Sequence, residues 1–187
     1  MTDGLKRACA ALVIPVVETE RLILRGFRSD DAPAIAALHG DTNVMRYIGG
    51  HTDDTLFGAY EAILKWTGHW SFHGCGKWAV EEKASGRCVG RVGYLDPPHE
   101  WPGLELGWTF SADVWGKGYA TEAAIAARDW GFNVLGAERI ISMIDLRNTA
   151  SAAVAKRIGE TPWKPFVFRG VDDMLWSMTR DEWKALA

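Results

Sequence analysis

"SADVWGKGYATEAAIAARDWGF", Ser111 to Phe132, decides how the rest of the chain is read. Two glycines bracket a lysine at Gly116-Lys117-Gly118, and an alanine-rich run with helical spacing follows without a break. Glycine has no Cβ, so its φ can be positive and a ligand can come close to the backbone. The first amides of a helix have no partners inside it, and the helix dipole makes that end attractive to anions. Lys117 adds a formal charge at the same place. The stretch reads as a cradle for phosphate or pyrophosphate. A tight strand-to-helix turn without a ligand uses the same residues, because short glycine motifs recur by chance.

Neither common nucleotide motif fits. A Walker loop needs G-x-x-x-x-G-K-[ST], which is absent, and a dinucleotide fingerprint needs a third glycine where Thr121 stands. The strand before the loop also follows a hairpin instead of opening a βαβ unit.

Outward from the loop, period and punctuation place the other elements. Arg21 to Arg28 alternates as a strand. Ser29 is expected to cap a helix over Asp30 to His39, with Pro33 in its tolerant first turn and Gly40 as its stop. A second helix is expected from near Asp53, with Leu56, Phe57, Tyr60, Ile63 and Leu64 at helical spacing. "KWAVEEKASGRCVGRVGYLD" reads as a hairpin turning at Ala84-Ser85-Gly86, and "GLELGWTFS" as a further strand. The helix after the glycine loop runs to about Leu135 and stops at Gly136. "RIISMID" has few polar interruptions, as a central strand buried on both faces should. Asn148 caps a short helix from Thr149 to Ile158, stopped by Gly159, and "KPFVFRGVDDMLWSMT" reads as a terminal hairpin. This order gives one α/β domain with a mixed, mostly antiparallel sheet flanked by helices on both faces.

Bulk properties agree. The 187 residues suit one well-buried domain, and 48% hydrophobic with 24% charged residues is ordinary for a globular chain. A net charge of −3 gives no basic excess for a nucleic-acid backbone, so a nucleic-acid partner is not expected. The ten tryptophans belong in the core or in cleft walls. Cys9, Cys75 and Cys88 form no paired framework, which fits a reducing cytoplasm. The apolar run after Lys6 and Arg7 resembles a short signal peptide. It is too short to span a bilayer, Pro15 interrupts it, and it leads directly into "ETERLILR". Residues 1–17 are therefore taken as an N-terminal extension and 18–187 as the domain, with no membrane partner.

Four ordered segments carry a family resemblance. "ELGWTFSADVWGKGYATEA" resembles the acetyl-CoA loop of the GNAT acetyltransferases, and most closely the RimJ/RimL-like branch of ribosomal-protein N-terminal acetyltransferases. "ETERLILRGFRSDDAPAI", "NVMRYIGG" and "IDLRNTASAAVAKRIGE" resemble that branch's opening strand and helix, its inter-helix segment and its second cofactor motif. The resemblance runs from about Glu18 to Trp183 and implies acetyl-CoA as cosubstrate, a primary amine as acceptor and no metal. The loop pattern Q/R-x-x-G-x-G/A falls on Trp115 to Ala120, with Gly118 and Ala120 in the small-residue slots. Trp115 replaces the polar first residue, which leaves the amides from Gly116 through Lys117, Gly118 and Tyr119 to Ala120 as the implied pyrophosphate site.

Strand parity adds chemistry. Leu104, Leu106, Trp108 and Phe110 fall on one face, and Glu105, Gly107, Thr109 and Ser111 on the other. Glu105 is either a solvated strand residue or, as the resemblance implies, a base facing the acetyl-transfer cleft. The resemblance also runs the pantetheine arm beside Trp108, Thr109 and Phe110, whose amides would polarise the thioester oxygen. It gives Asn148 a cofactor or water contact and Ser151 the role of donor to the departing sulfur. A helix cap accounts for Asn148 by itself, and serine in a first helical turn is unremarkable. Tyr119 and Tyr47 are the alternatives to Ser151.

Cys75 and Cys88 have no recognisable histidine and carboxylate beside them, so direct transfer is expected instead of an acyl-enzyme. His69, His73 and Cys75, with His51 upstream, match no closed metal site and are expected to rim the acceptor pocket. Acceptor specificity is expected from residues 43–50, 69–76 and 163–173. The competing reading is a non-catalytic acyl-CoA-binding module of the same fold. Monomer and homodimer both fit.

Overall fold

Eight strands among the described residues form one sheet in the order β1-β2-β3-β4-β5-β6-β8-β7. The computed structural model describes residues 13–48, 54–95, 103–168 and 170–186. The strands are β1 (Val17–Glu18), β2 (Leu22–Arg25), β3 (Lys77–Glu82), β4 (Cys88–Leu95), β5 (Leu104–Phe110), β6 (Arg139–Asp145), β7 (Thr161–Phe168) and β8 (Val171–Thr179). The α-helices are α1 (Ala32–Gly40), α2 (Thr42–Met45), α3 (Leu56–His73), α4 (Tyr119–Asn133), α5 (Thr149–Arg157) and α6 (Arg180–Lys184). Every neighbouring pair of strands is antiparallel except β5 and β6, which run parallel.

Alternation sends two sets of side chains to two layers. Leu22, Leu24, Trp78, Val80, Val92, Tyr94 and Leu106 pack against Ala123, Ala124 and Ala127 of α4. The alanines let α4 lie close to the sheet. Gly131 lies against the Tyr94 hydroxyl, which donates to Ala127 O at 2.7 Å, and the approach leaves no room for a Cβ. On the opposite face Ala79 packs with Ile35 of α1 and with Ala59, Ile63 and Trp66 of α3. Trp78 meets Trp70 at 4.8 Å and Trp130 at 5.0 Å between ring centroids, so these tryptophans form part of the core, while Trp115 and Trp163 are exposed. The chain before β2 also belongs to the body. Ile14 and Val17 pack on the core, and Pro15 O accepts the Trp78 indole N–H at 2.8 Å.

Three expectations need correction. α1 begins at Ala32, after a 3-10 turn over Ser29–Asp31, and Ser29 makes no cap bond. Asp31 does the work there: it accepts Arg28 N at 2.8 Å and takes both Arg25 guanidinium nitrogens at 2.8 Å. Asp53 lies outside the described residues, and Thr55 caps α3 by accepting Gly58 N at 3.0 Å. The buried stripe of α3 is Ala59, Ile63, Trp66 and Trp70, while Leu56, Phe57, Tyr60 and Leu64 are exposed. Two adjacent stripes of one helix were apolar, and bulk did not decide which was buried. β1, α2 and α6 had no signal strong enough to name them. The last is fixed by a capping box between Thr179 and Glu182.

One irregularity opens the molecule. β5 and β6 pair only at Leu104↔Ile140 and Glu105↔Ile141, and then part. Just beyond the last pair, Ser142 Oγ donates to Leu106 O at 2.8 Å and lies 3.0 Å from Glu160 Oε1. Burial pushes the Glu160 carboxyl up to about 8, so at neutral pH it is an acid able to donate to Ser142. A small buried polar wedge thus replaces the ladder where the strands diverge.

Candidate active site

The cleft lies beside the end of β5, beyond the point where β5 and β6 separate. It has a volume of about 1200 Å³, and its walls come from the end of β5, the glycine loop, the outer face of α4 and the start of α5. α2 and the turn after it supply Asn43, Arg46 and Tyr47.

The glycine loop takes the form its sequence requires. Gly116 and Gly118 have φ of 78° and 83°, a left-handed region that costs other residues strain. A Cβ at Gly116 would meet nothing within 4 Å, so the backbone there is open to a ligand. Gly118 is the N-cap of α4 and no side chain caps the helix. Trp115 turns inward at its polar end, donating from Nε1 to Phe110 O at 2.9 Å, and so pins the loop to the end of β5. These features fit the pyrophosphate of a CoA thioester: an uncapped helix start, two left-handed glycines and an unobstructed approach.

The opposite wall is the start of α5. Asn148 Oδ1 accepts Ser151 N at 3.1 Å, so Asn148 is a cap, and both residues line the cleft. Trp108, Thr109, Phe110, Trp115, Gly116, Gly118, Tyr119 and Ala120 line it too. Lys117 and Glu105 do not. Lys117 Nζ sits 5.8 Å from the centroid of the Tyr119 ring. The Tyr119 hydroxyl donates to Glu82 Oε1 at 2.7 Å, so its ring walls the cleft while its polar end is engaged elsewhere.

Glu105 occupies the last paired position before the splay, on the face that carries α1 and α3. Its Oε2 is buried without a hydrogen-bond partner. Two cations share this face. Lys77 is only 2% exposed, and its ammonium donates to Gly93 O at 2.7 Å. Burial pulls the Lys77 amine down to about 8 against the opposing pull of Glu105, and pulls the Arg91 guanidinium down to about 10. The Arg91 guanidinium also stacks 4.8 Å over Trp66. Gly93 and Gly107 are cross-strand partners. A Cβ on Gly107 would lie 2.8 Å from Lys77 Nζ and 3.3 Å from Glu105 Oε1, so the missing side chain is what admits these charges. Sequence reasoning put Glu105 on its face of β5 and gave no sign of Lys77 and Arg91 beside it, which looked like the polar faces of hairpin strands. The available signal was glycine inside two neighbouring strands, which marks a close approach.

The remaining candidates disperse. The His69 and His73 rings stack at 4.3 Å between centroids, and His69 Nδ1 lies 2.8 Å from Cys75 O. Among the described residues no group of three or more His, Cys, Asp or Glu side chains could hold a metal ion, and His51 lies outside them. Burial pushes the Cys88 thiol up to about 11, which removes it as a nucleophile at neutral pH. Among the described residues no helix is long and apolar enough to cross a membrane.

Residues 21–161 match the acetyltransferase (GNAT) domain family. The chain belongs to the GNAT acetyltransferases. A curated relative, the uncharacterized N-acetyltransferase YoaA of Bacillus subtilis, is 26% identical over 147 residues, covering 79% of this chain and 83% of that one. The crystal structure of an acetyltransferase from Agrobacterium tumefaciens superposes with a TM-score of 0.77 at 33% identity, covering 88% of this chain and 94% of that one. At 18% identity, a spermidine N-acetyltransferase from Vibrio cholerae in complex with CoA and spermine shares the fold, with a TM-score of 0.73 and coverage of 89% and 99%. This GNAT chain is an acetyltransferase, with the mixed sheet and flanking helices of its family. The GNAT fold uses acetyl-CoA and acts on amine acceptors.

Proposed function

We propose that this GNAT enzyme transfers the acetyl group of acetyl-CoA directly to a primary amine, either a protein N-terminus or a small molecule, and that it falls in the RimJ/RimL-like branch. The reading is carried by one juxtaposition. A cleft that starts at the uncapped end of α4 is lined by the end of β5 from Trp108 to Phe110, and three residues back along that strand, outside the lining and at the last pair with β6, Glu105 holds a buried carboxyl oxygen without a partner. The four ordered sequence segments support the branch.

The amides from Gly116 to Ala120 bind the pyrophosphate. Where β5 leaves β6, strand amides among Trp108, Thr109 and Phe110 lose their ladder partners and are free to bond the thioester oxygen as negative charge develops on it. The acceptor nitrogen attacks the thioester carbon. Glu105 takes its proton, directly or through one water, and the Ser151 hydroxyl donates to the departing sulfur. Asn148 orders the first turn of α5 so that Ser151 is presented to the cleft. With the Lys77 and Arg91 cations near Glu105, the acceptor attacks as the neutral amine more readily than it is held as an ammonium. An α-amine, with a pKa near 7.7–8.0, supplies about a tenth or more of that form at pH 7, and a lysine amine near 10.4 supplies far less.

The test is free-thiol release from acetyl-CoA across a panel of N-terminal peptides, amino acids, polyamines and aminoglycosides, with a mass gain of one acetyl group on the acceptor. Turnover on a primary amine is expected. Saturable CoA binding with no thiol released on any amine overturns the catalytic assignment and leaves an acyl-CoA-binding module. Turnover confined to acceptors other than peptide N-termini removes the proposed branch.

A further inference from the structure

One charged side chain on the cleft wall is used by none of these steps. Arg21 enters from the turn before β2 and lines the cleft beside Gly116 and Gly118. Its position is held from several sides. Arg21 Nε donates to Glu122 Oε2 at 2.7 Å, and Nη2 pairs with the same oxygen at 2.6 Å. Arg21 N and Thr19 Oγ1 both donate to Glu122 Oε1, at 2.9 and 2.6 Å. Nη1 donates to Lys117 O at 2.9 Å, inside the glycine loop itself. The guanidinium plane rests 4.7 Å over the Tyr119 ring.

A guanidinium carries five N–H donors in a rigid fork. Three are occupied by Glu122 and Lys117, which leaves one on each terminal nitrogen. The side chain is 43% exposed, and a Cβ on Gly118 would lie 3.5 Å from Nη2. The two open donors therefore stand at the mouth of the phosphate cradle, on a group that is already ordered. The loop position that carries a polar side chain in the family pattern is Trp115 here, and its indole N–H is spent on Phe110 O.

We infer that Arg21 is a phosphate-binding residue, donating to the diphosphate of the CoA thioester and supplying from the β2 lead-in the polar contact that Trp115 removes from the loop. Glu122 is its positioning residue: it anchors the fork and leaves the outer edge toward the ligand. This rests on the acetyl-CoA reading above and adds a residue to that site.

The experiment is direct binding to the full chain, read by calorimetry or competition, with three ligands. These are CoA, dephospho-CoA, which keeps the diphosphate and lacks the 3′-phosphate, and pantetheine, which has neither. Losing charge-assisted hydrogen bonds to a phosphate should weaken binding about ten- to a hundredfold. Arg21→Met should lose that factor on CoA and on dephospho-CoA alike, with pantetheine unchanged. Glu122→Gln should show the same pattern with a smaller loss. Arg21→Lys should fall between, because it keeps the charge and loses the fork. Loss on CoA alone assigns Arg21 to the 3′-phosphate and overturns the proposal. Equal loss on all three ligands, pantetheine included, makes Arg21 a structural strut and overturns it too. So does unchanged affinity. Failure of the wild-type chain to bind CoA at all would instead sink the acetyl-CoA reading, which keeps the two failures apart.

Discussion

The two ends of the proposed site are made of different materials. At the α4 end the proposed binding groups are backbone amides, exposed by Gly116 and Gly118 and by the absence of a side-chain cap. Where β5 and β6 part, beyond the residues that line the cleft, the proposed working groups are side chains, Glu105 with Lys77 and Arg91, gathered from three different strands beside Gly107. A site of amides within one loop is written in consecutive residues. A site of side chains is written in strand pairing, which no single window contains. The contrast also predicts how each end fails. Replacing a charge should damage the strand-parting end most, whereas at the α4 end it is the glycines, not the Lys117 charge, whose replacement should matter.

The largest effect is expected at Glu105. Glu105→Gln keeps the shape and removes the base. On a high-pKa amine, kcat/KM at neutral pH should fall by about 10²–10⁴, while acetyl-CoA affinity stays constant because the loop is untouched. On an α-amine the fall should be smaller, since part of that acceptor is already neutral. Raising the pH toward the amine's own pKa should recover the variant more than the wild type. The measurement is a pH–rate profile of both proteins on one acceptor. Superimposable profiles would leave Glu105 as a strand residue and pass proton removal to water.

Glu160 tests whether the wedge at the strand parting joins the two ends. Its carboxyl is raised by burial from the usual carboxylate range to about 8. Between those two values the native chain binds more protons than the unfolded one, so stability falls as pH rises through the window. A buried carboxyl titrating over such a span costs up to a few kcal/mol by linkage, at about 1.36 kcal/mol per unit. Glu160→Gln imitates the protonated acid. Its thermal midpoint relative to wild type should therefore rise from pH 5 to pH 9. A constant difference across that range would show that Glu160 does not titrate there.

Gly118→Val asks whether the α4 end depends on backbone. The left-handed φ of 83° at that position suits glycine and strains a β-branched residue. Strain of about 1–3 kcal/mol, spent on distorting the loop, corresponds to a loss of roughly tenfold to a hundredfold in acetyl-CoA affinity. Calorimetry that returns wild-type affinity would break the cradle argument.

The same division explains what the sequence disclosed. The hairpin turn at Gly86, the Asn148 cap and the stops at Gly136 and Gly159 are local devices, and each appears where its residues put it. The buried side of α3 was not local. Both stripes are apolar, and the sheet selected Ala59, Ile63 and Trp66, which fit against Ala79, and Trp70, which packs on Trp78. Glu105 was legible because period two fixed its face and the family resemblance named its strand. Lys77 and Arg91 were not, because their burial depends on Gly93 facing Gly107 across a strand pair. Arg21 was hidden for the same reason, since Glu122 lies about a hundred residues further along the chain.

The smallest effect sharpens the comparison most. Lys117 is the residue between the two glycines, and its charge suggests a phosphate ligand. Yet its ammonium is not on the cleft wall, and it lies over Tyr119. What the position supplies to the loop is its carbonyl, held by Arg21 at 2.9 Å, and that bond does not depend on the side chain. An exposed charge at a helix start changes the energy of a nearby ligand by about 0.3–1 kcal/mol. Lys117→Ala should then weaken acetyl-CoA by less than about tenfold, well below Gly118→Val, and the small loss should shrink further as salt is added. Measuring both variants by calorimetry at low and high ionic strength decides the matter. A thousandfold loss in Lys117→Ala would make the phosphate site a side-chain site, and the difference between the two ends of the proposed site would disappear.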